Sequence, residues 1–281
     1  MNLSDIKTVE NLLKKAGFSF KKSLGQNFLI DSSVCPRMAE ASCDENTGVL
    51  EIGPGFGVLT AELSRVAKKV VTIELDERLK KILPITLADC KNVEVIFGDA
   101  MKLDLEKIIK EHFSDCERVV VCANLPYYIT SPIIMMLLEK KLPIESITVM
   151  VQKEAAVRLC AEVGSREAGA VTAAVSYYAE KKILFDVSRK SFMPSPNVDS
   201  AVIKLNILPS PPIKVKDEKK FFSLVKACFA QRRKTLVNTV SNTLGIDKET
   251  LRNALTELEL SDTIRGEALT FEQLARLSDK L

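Results

Sequence analysis

Four short stretches place side chains able to do chemistry at the ends of β-branched runs. Glu51-Ile52-Gly53-Pro54-Gly55-Phe56-Gly57 follows Val49 and Leu50. Its glycines allow a sharp turn from a strand into a helix and a close approach of backbone to a ligand, as a nucleotide-type loop requires. Glu74 comes 21 residues after Gly53 and still lies within the next strand, where a carboxylate can take both hydroxyls of a ribose. Asp76 and Glu77 suit the start of the helix that follows. Asp99, in Gly98-Asp99-Ala100, ends a third strand and is placed to accept from an adenine amino group. Asn124-Leu125-Pro126-Tyr127 ends a fourth. Open α/β sheets bind ligands outside the carboxyl ends of their strands, so Gly53, Glu74, Asp99 and Asn124 are expected around one crevice.

Several chemistries are disfavoured. The dinucleotide fingerprint needs a small residue at position 58, where Val58 stands, and the Gly-Lys-Ser/Thr of a P-loop is missing. The one histidine, His112, cannot supply a site that needs two imidazoles, and it reads as a polar residue near a helix end. The seven cysteines are scattered singly with no C-x-x-C pair, which argues against a disulfide framework, and no metal is expected. No apolar run approaches the roughly 18 residues of a membrane helix, and the start of the chain reads as an amphipathic helix rather than a signal peptide, so a cytoplasmic protein without membrane partners is expected.

The elements that must position these residues alternate from residue 48. Strands are expected at 49–52, 69–75, 93–97, 118–123 and 146–151, with helices at 58–67, 77–88, 104–113 and 131–140 between them. This repetition implies right-handed crossovers and a mostly parallel sheet. Helices at about 153–161 and 168–179 precede two close strands, 182–187 and 200–207, which can form an antiparallel edge and bring the sheet to seven strands. Leu208-Pro209-Ser210-Pro211-Pro212 breaks the pattern. We therefore read residues 1–207 as an α/β domain and 208–281 as a small all-helical one. Its helices are expected at about 217–231, 233–244, 247–258 and 270–279, the last with Thr270 and Gln273 at capping-box spacing.

The motifs also carry a resemblance. The E-x-G-x-G-x-G spacing looks like the first motif of S-adenosylmethionine-dependent methyltransferases, and NLPY resembles the motif of enzymes that methylate the amino group of adenine. The residue types suit that chemistry. The exocyclic nitrogen is a poor nucleophile because its lone pair is delocalised into the ring. The Asn124 side-chain oxygen and the Leu125 carbonyl can each accept one amine N–H, favouring a pyramidal nitrogen. Pro126 stiffens the turn, and Tyr127 offers a ring on which an extruded base can stack. Phe192, in Phe192-Met193-Pro194-Ser195-Pro196, could cover the other face of the base, or could equally be core.

With Lys22-x-Leu24-Gly25-Gln26-Asn27-Phe28-Leu29, F-x-P-x-P-x-V-D-S-A and Phe229-Ala230-Gln231-Arg232-Arg233-Lys234-Thr235-Leu236, the match from about residue 20 to 280 is similar to the ribosomal RNA adenine dimethyltransferases of the small subunit. That resemblance implies a Rossmann-like class I methyltransferase fold and S-adenosyl-L-methionine as cofactor. It implies cofactor contacts from Asn27, Leu29, Gly53, Glu74, Asp99 and Asn124, and a target base bracketed by Tyr127 and Phe192. The substrate it implies is two adjacent adenosines near the 3′ end of small-subunit rRNA, in an immature 30S particle, with the chain acting as a monomer.

Two further readings stay open: a large-subunit rRNA adenine methyltransferase, or an RNA-binding assembly factor with secondary catalysis. A dehydrogenase on the same sheet founders on Val58. Net charge is only +3, but residues 208–281 hold 13 Lys and Arg against 10 Asp and Glu, whereas residues 1–207 are balanced at 27 each. Five lysines among the first 30 residues, including Lys21 and Lys22, form a second basic patch. Arg232, Arg233 and Lys234 are expected at a helix start, where cations oppose the dipole unless an anion such as RNA phosphate offsets them.

Overall fold

The computed structural model describes Thr8 and residues 28–281. The amphipathic stretch at the start of the chain, the Lys21–Lys22 patch and Asn27 lie outside the described residues. β1 (Phe28–Leu29) is the first strand among the described residues. β2 (Thr47–Ile52), β3 (Lys69–Glu74), β4 (Val93–Phe97), β5 (Arg118–Asn124) and β6 (Ser146–Gln152) follow, all rich in Val, Ile or Thr. β2 is buried along its whole length, and β3, β5 and β6 along nearly all of theirs, as strands covered on both faces must be. β2 pairs in parallel with β3 on one side and β5 on the other.

The full sheet has the order β4-β3-β2-β5-β6-β9-β7, with β7 at Ala179–Val187 and β9 at Ser200–Ile207. β9 runs antiparallel to β6 from Ser146↔Asn206 to Gln152↔Ser200, and so lies between β6 and the edge strand β7. The direction of travel across the sheet reverses at β2. The crevice expected at such a switch point lies above the carboxyl ends of β2 and β5. β8 (Phe192–Met193) stands apart from this sheet and, among the described residues, pairs with β1.

Helices α2 (Val58–Val66), α4 (Leu105–His112) and α5 (Thr130–Glu139) form where expected, and α1 (Val34–Ser42) is a helix not anticipated from the sequence. α1 turns Val34, Cys35, Met38, Ala39 and Ser42 inward, the i, i+3, i+4 spacing of a buried face, and packs on α2 and the sheet. The expected helix over 77–88 is corrected. The chain forms a 3-10 turn at Glu77–Lys81 and then only the single turn α3 (Leu83–Thr86), because Pro84 has no N–H to continue a helix and is tolerated only in a first turn. His112 ends α4 with its ring nitrogen 3.0 Å from the Glu94 carboxylate.

The chain divides into two compact units, 1–156 with 182–207, and 157–181 with 208–281. One boundary coincides with the proline-rich break after 207. Residues 157–181, expected in the α/β domain, instead group with the C-terminal helices. The reason is aromatic packing: Tyr177 and Tyr178 of α7 (Ala170–Tyr178) sit against Phe221 and Phe222 of α8 (Glu218–Phe229), with Tyr178 and Phe222 stacked at 5.5 Å. The division falls within α6 (Lys153–Cys160). A cut at 207 would therefore strip α7 of its partners.

The second unit continues with α9 (Leu236–Leu244), α10 (Lys248–Glu257) and α11 (Phe271–Lys280). The capping box at α11 forms as spaced, with the Thr270 N–H donating to Gln273 Oε1 at 2.8 Å and the Gln273 N–H to Thr270 Oγ1 at 3.2 Å. α9 starts three residues later than expected. Gln231–Lys234 instead close a turn, and the Leu236 N–H bonds the Ile264 carbonyl. Arg232 is committed within this unit: its guanidinium donates to the Glu267 carboxylate and to the Arg166 and Ala168 carbonyls. Arg233 and Lys234 are exposed.

Candidate active site

A cavity of about 350 Å³ opens at the carboxyl ends of β2, β3 and β5, within the range of small-molecule sites. Leu29, Gly53, Glu74, Asp99, Asn124, Leu125, Pro126, Tyr127 and Phe192 all line it. Of the residues expected around this crevice, Asn27 lies outside the described residues.

The loop after β2 is shaped for a close neighbour. Gly53 and Gly55 hold φ of +72° and +56°, which side chains rarely adopt, and the space a Cβ would point into is open at both. The Gly53 N–H bonds the Ile73 carbonyl at 2.9 Å, tying the loop to β3 beside Glu74. Glu74 is only 6% exposed. Its carboxylate accepts from the Asp76 N–H at 2.7 Å and the Gly55 N–H at 3.3 Å, while burial pushes its pKa above the ordinary value. Two backbone donors hold the group in place, and the remaining lone pairs can still accept from a ligand's hydroxyls. Asp99 is half-buried, with one oxygen taken by the Met101 N–H at 3.0 Å and the other 3.6 Å from the Lys102 ammonium.

Glu51 contributes a carboxylate that the sequence quoted within its glycine motif but did not single out. It lies on β2, lines the cavity and is 1% exposed; Thr60 Oγ1 donates to it at 2.6 Å. Burial raises its pKa to about 7, against the smaller opposing effect of the Thr60 hydrogen bond.

On the far side of the crevice, β5 ends at Asn124. Its side-chain amide takes no hydrogen bond among the described residues, leaving its oxygen available. Leu125 is buried at 2% exposure, and Pro126, at φ −56°, leads into a 3-10 turn at Tyr127–Ile129. The Tyr127 hydroxyl is 2.8 Å from Ser200 Oγ, which fixes its ring, and burial raises its pKa. Phe192 is both cavity wall and core: 4% exposed, it packs in the cluster with Val34, Met38 and Val187.

The β1–β8 pair was missed from sequence. It sets Leu29 opposite Phe192, so residues 163 positions apart build one wall. The Ile30 N–H bonds the Ser191 carbonyl at 2.8 Å, and Ser191 Oγ donates to the Asp31 carboxylate at 3.0 Å. Strands of two residues carry no periodicity, so no local signal marks them. Leu75 was also missed; directly after Glu74 it is 56% exposed, and such an apolar side chain at a strand end beside an acid is a signal that could have been read.

The profile of the ribosomal RNA adenine dimethylase family matches residues 17–279, nearly the whole chain. The chain belongs to this family. It is 49% identical over 280 residues to the ribosomal RNA small subunit methyltransferase A of Bacillus licheniformis, covering 98% of this chain and 96% of the relative. The protein of that name from a Geobacillus species is 48% identical over 274 residues, 96% of this chain and 94% of its own. Among solved structures, a dimethyladenosine transferase from Plasmodium falciparum superposes with a TM-score of 0.72 at 28% identity, over 89% of this chain and 95% of that one. The 23S rRNA methyltransferase ErmE gives 0.66 at 27%, over 91% and 99%. The fold of this dimethylase is thus the Rossmann-like one shared by rRNA methyltransferases.

The cavity fits the S-adenosyl-L-methionine on which the family's chemistry depends. Gly53 and Gly55 leave open space for a ligand against their backbone, and Glu74 and Asp99 present carboxylates suited to a nucleoside. Among the described residues, no cluster of His, Cys, Asp or Glu suited to a metal occurs, and no helix is long and apolar enough to cross a membrane.

Proposed function

We propose that this dimethylase methylates the N6 amines of two adjacent adenosines near the 3′ end of small-subunit rRNA, in an immature 30S particle. The observation that carries the reading is the arrangement of Asn124-Leu125-Pro126-Tyr127 at the end of β5, on the same cavity as Glu74 and Asp99. When bound, S-adenosyl-L-methionine supplies an electrophilic methyl group. Gly53, Glu74 and Asp99 would hold the cofactor, and Leu29, Asn27 and Asn124 would complete its contacts. The uncommitted Asn124 oxygen and the Leu125 carbonyl accept the two amine hydrogens, drawing the nitrogen lone pair out of conjugation. Tyr127, its ring fixed through Ser200, and Phe192, seated in the core, bracket the base. Pre-set aromatic walls reduce the ordering cost of receiving an extruded base.

The reading divides the labour between the units, with 1–156 and 182–207 catalytic and the helical unit holding RNA. It also places a monomeric chain in the cytoplasm. Mass spectrometry of rRNA from cells with and without this chain tests the assignment. Dimethyladenosine near the small-subunit 3′ end is expected only with the chain present, and its equal abundance in both would refute the proposal. The likeness to a 23S rRNA methyltransferase supports a large-subunit target as the second reading, and the same spectra report it. Near-full-length identity of 49% to a small-subunit methyltransferase favours the first.

A further inference from the structure

Tyr127 and Tyr128 are neighbours in one 3-10 turn and both line the cavity, yet they are held differently. Tyr127 is half-buried with its hydroxyl tied to Ser200. Tyr128 is 60% exposed, and neither its ring nor its hydroxyl has a partner among the described residues. Beneath it the backbone is firmly set. The Ile129 N–H and Thr130 Oγ1 both donate to the Pro126 carbonyl, at 3.1 and 3.3 Å, and α5 begins at once. Single exposed apolar side chains are common and mean little by themselves. A large flat ring on a rigid turn, at the rim of the cavity and next to the residue that faces the target base, is in a different position.

Any base taken out of a polynucleotide leaves its neighbours with an uncovered stacking face, and that loss opposes extrusion. We propose that Tyr128 is the platform on which the nucleobase flanking the target adenosine stacks while the target occupies the cavity. The proposal rests on the RNA adenosine reading above. An aromatic face accepts any base, because every base has a π-face, so Tyr128 contributes affinity without reading sequence. Its ring has only two torsions to order, and the turn already orients it. Tyr127 and Tyr128 thus have separate tasks: one meets the target, the other its neighbour.

The test is a substitution series at Tyr128, assayed with tritium-labelled cofactor on small subunits that lack the modification. Alongside, S-adenosylhomocysteine affinity is measured by calorimetry. Tyr128→Leu keeps apolar bulk but removes the flat face, and should lower kcat/KM for the particle by about 5- to 150-fold, the range for loss of one base–aromatic stack. Tyr128→Phe keeps the face and should recover most of that loss, because the hydroxyl has no part in stacking. S-adenosylhomocysteine should bind all three proteins alike. Equal activity of the Leu and Tyr proteins would overturn the platform, as would a Phe protein as impaired as the Leu one, or a loss of S-adenosylhomocysteine affinity that accounts for the defect. Failure of the unmodified protein to methylate the particles would instead refute the rRNA assignment, a separate and recognisable outcome.

Discussion

Substituting Glu51 by glutamine should change how stability depends on pH, by an amount that follows from the geometry. Glu51 lies on the interior strand β2 at 1% exposure, and its folded pKa of about 7 stands well above the ordinary glutamate value of 4.5. Between those two values the folded chain holds a proton that the unfolded chain has released. Stability therefore falls as pH rises through this window and levels off above about 7. At 1.36 kcal/mol per unit, the gap corresponds to about 3 kcal/mol lost between pH 4.5 and 8. Glu51→Gln cannot ionise, and its side-chain oxygen can still accept from Thr60 Oγ1. Its advantage over the unmodified chain should thus grow by about 3 kcal/mol from low to high pH. That corresponds to roughly 6–12 °C in midpoint for a domain of this size. Calorimetric melts of the ligand-free protein at pH 5 to 8.5 measure it, and groups common to both proteins cancel in the difference. A constant offset between the two melting curves would show that Glu51 is ionised throughout, and the argument from burial would fail.

Other expectations concern the site and the basic turn. Asn124→Ala should slow turnover by about 10²-fold or more while S-adenosylhomocysteine affinity changes far less, as rapid-quench kinetics and calorimetry would show. Glu74→Ala should weaken cofactor binding by roughly 1.5–3 kcal/mol in a titration; a change in turnover alone would exclude a ribose contact. Arg232→Ala should lower the thermal midpoint, since the guanidinium joins Glu267 to the Arg166 and Ala168 carbonyls, whereas Arg233→Ala and Lys234→Ala should not. Each of the latter two should instead reduce the log–log salt slope of particle binding by about 0.7–0.9 if it contacts a phosphate, and an unchanged slope would remove it from the RNA surface.

The sequence by itself determined the parallel sheet and most of one site. β2, β3, β5 and β6 announce themselves because strands buried on both faces are continuous runs such as Val119-Val120-Val121, the edge strand β4 shows as Val93-Glu94-Val95-Ile96-Phe97, and the glycine loop, Glu74, Asp99 and Asn124 each sit at the end of one of these strands. Strand ends on one edge of a parallel sheet converge by topology, so placing the strands already places these residues together. Tertiary structure alone decided the rest. Only the folded chain sets Leu29 beside Phe192 across the β1–β8 pair, commits Arg232 to carbonyls of residues far away in sequence, and draws 157–181 to the C-terminal helices through Tyr177 and Tyr178. Likewise, β2 gives no hint that Glu51 would lose nearly all its contact with water. Local pattern reports what a segment prefers. Which distant group meets a side chain, and how much solvent remains around its charge, is set by packing between segments, which has no period along the chain.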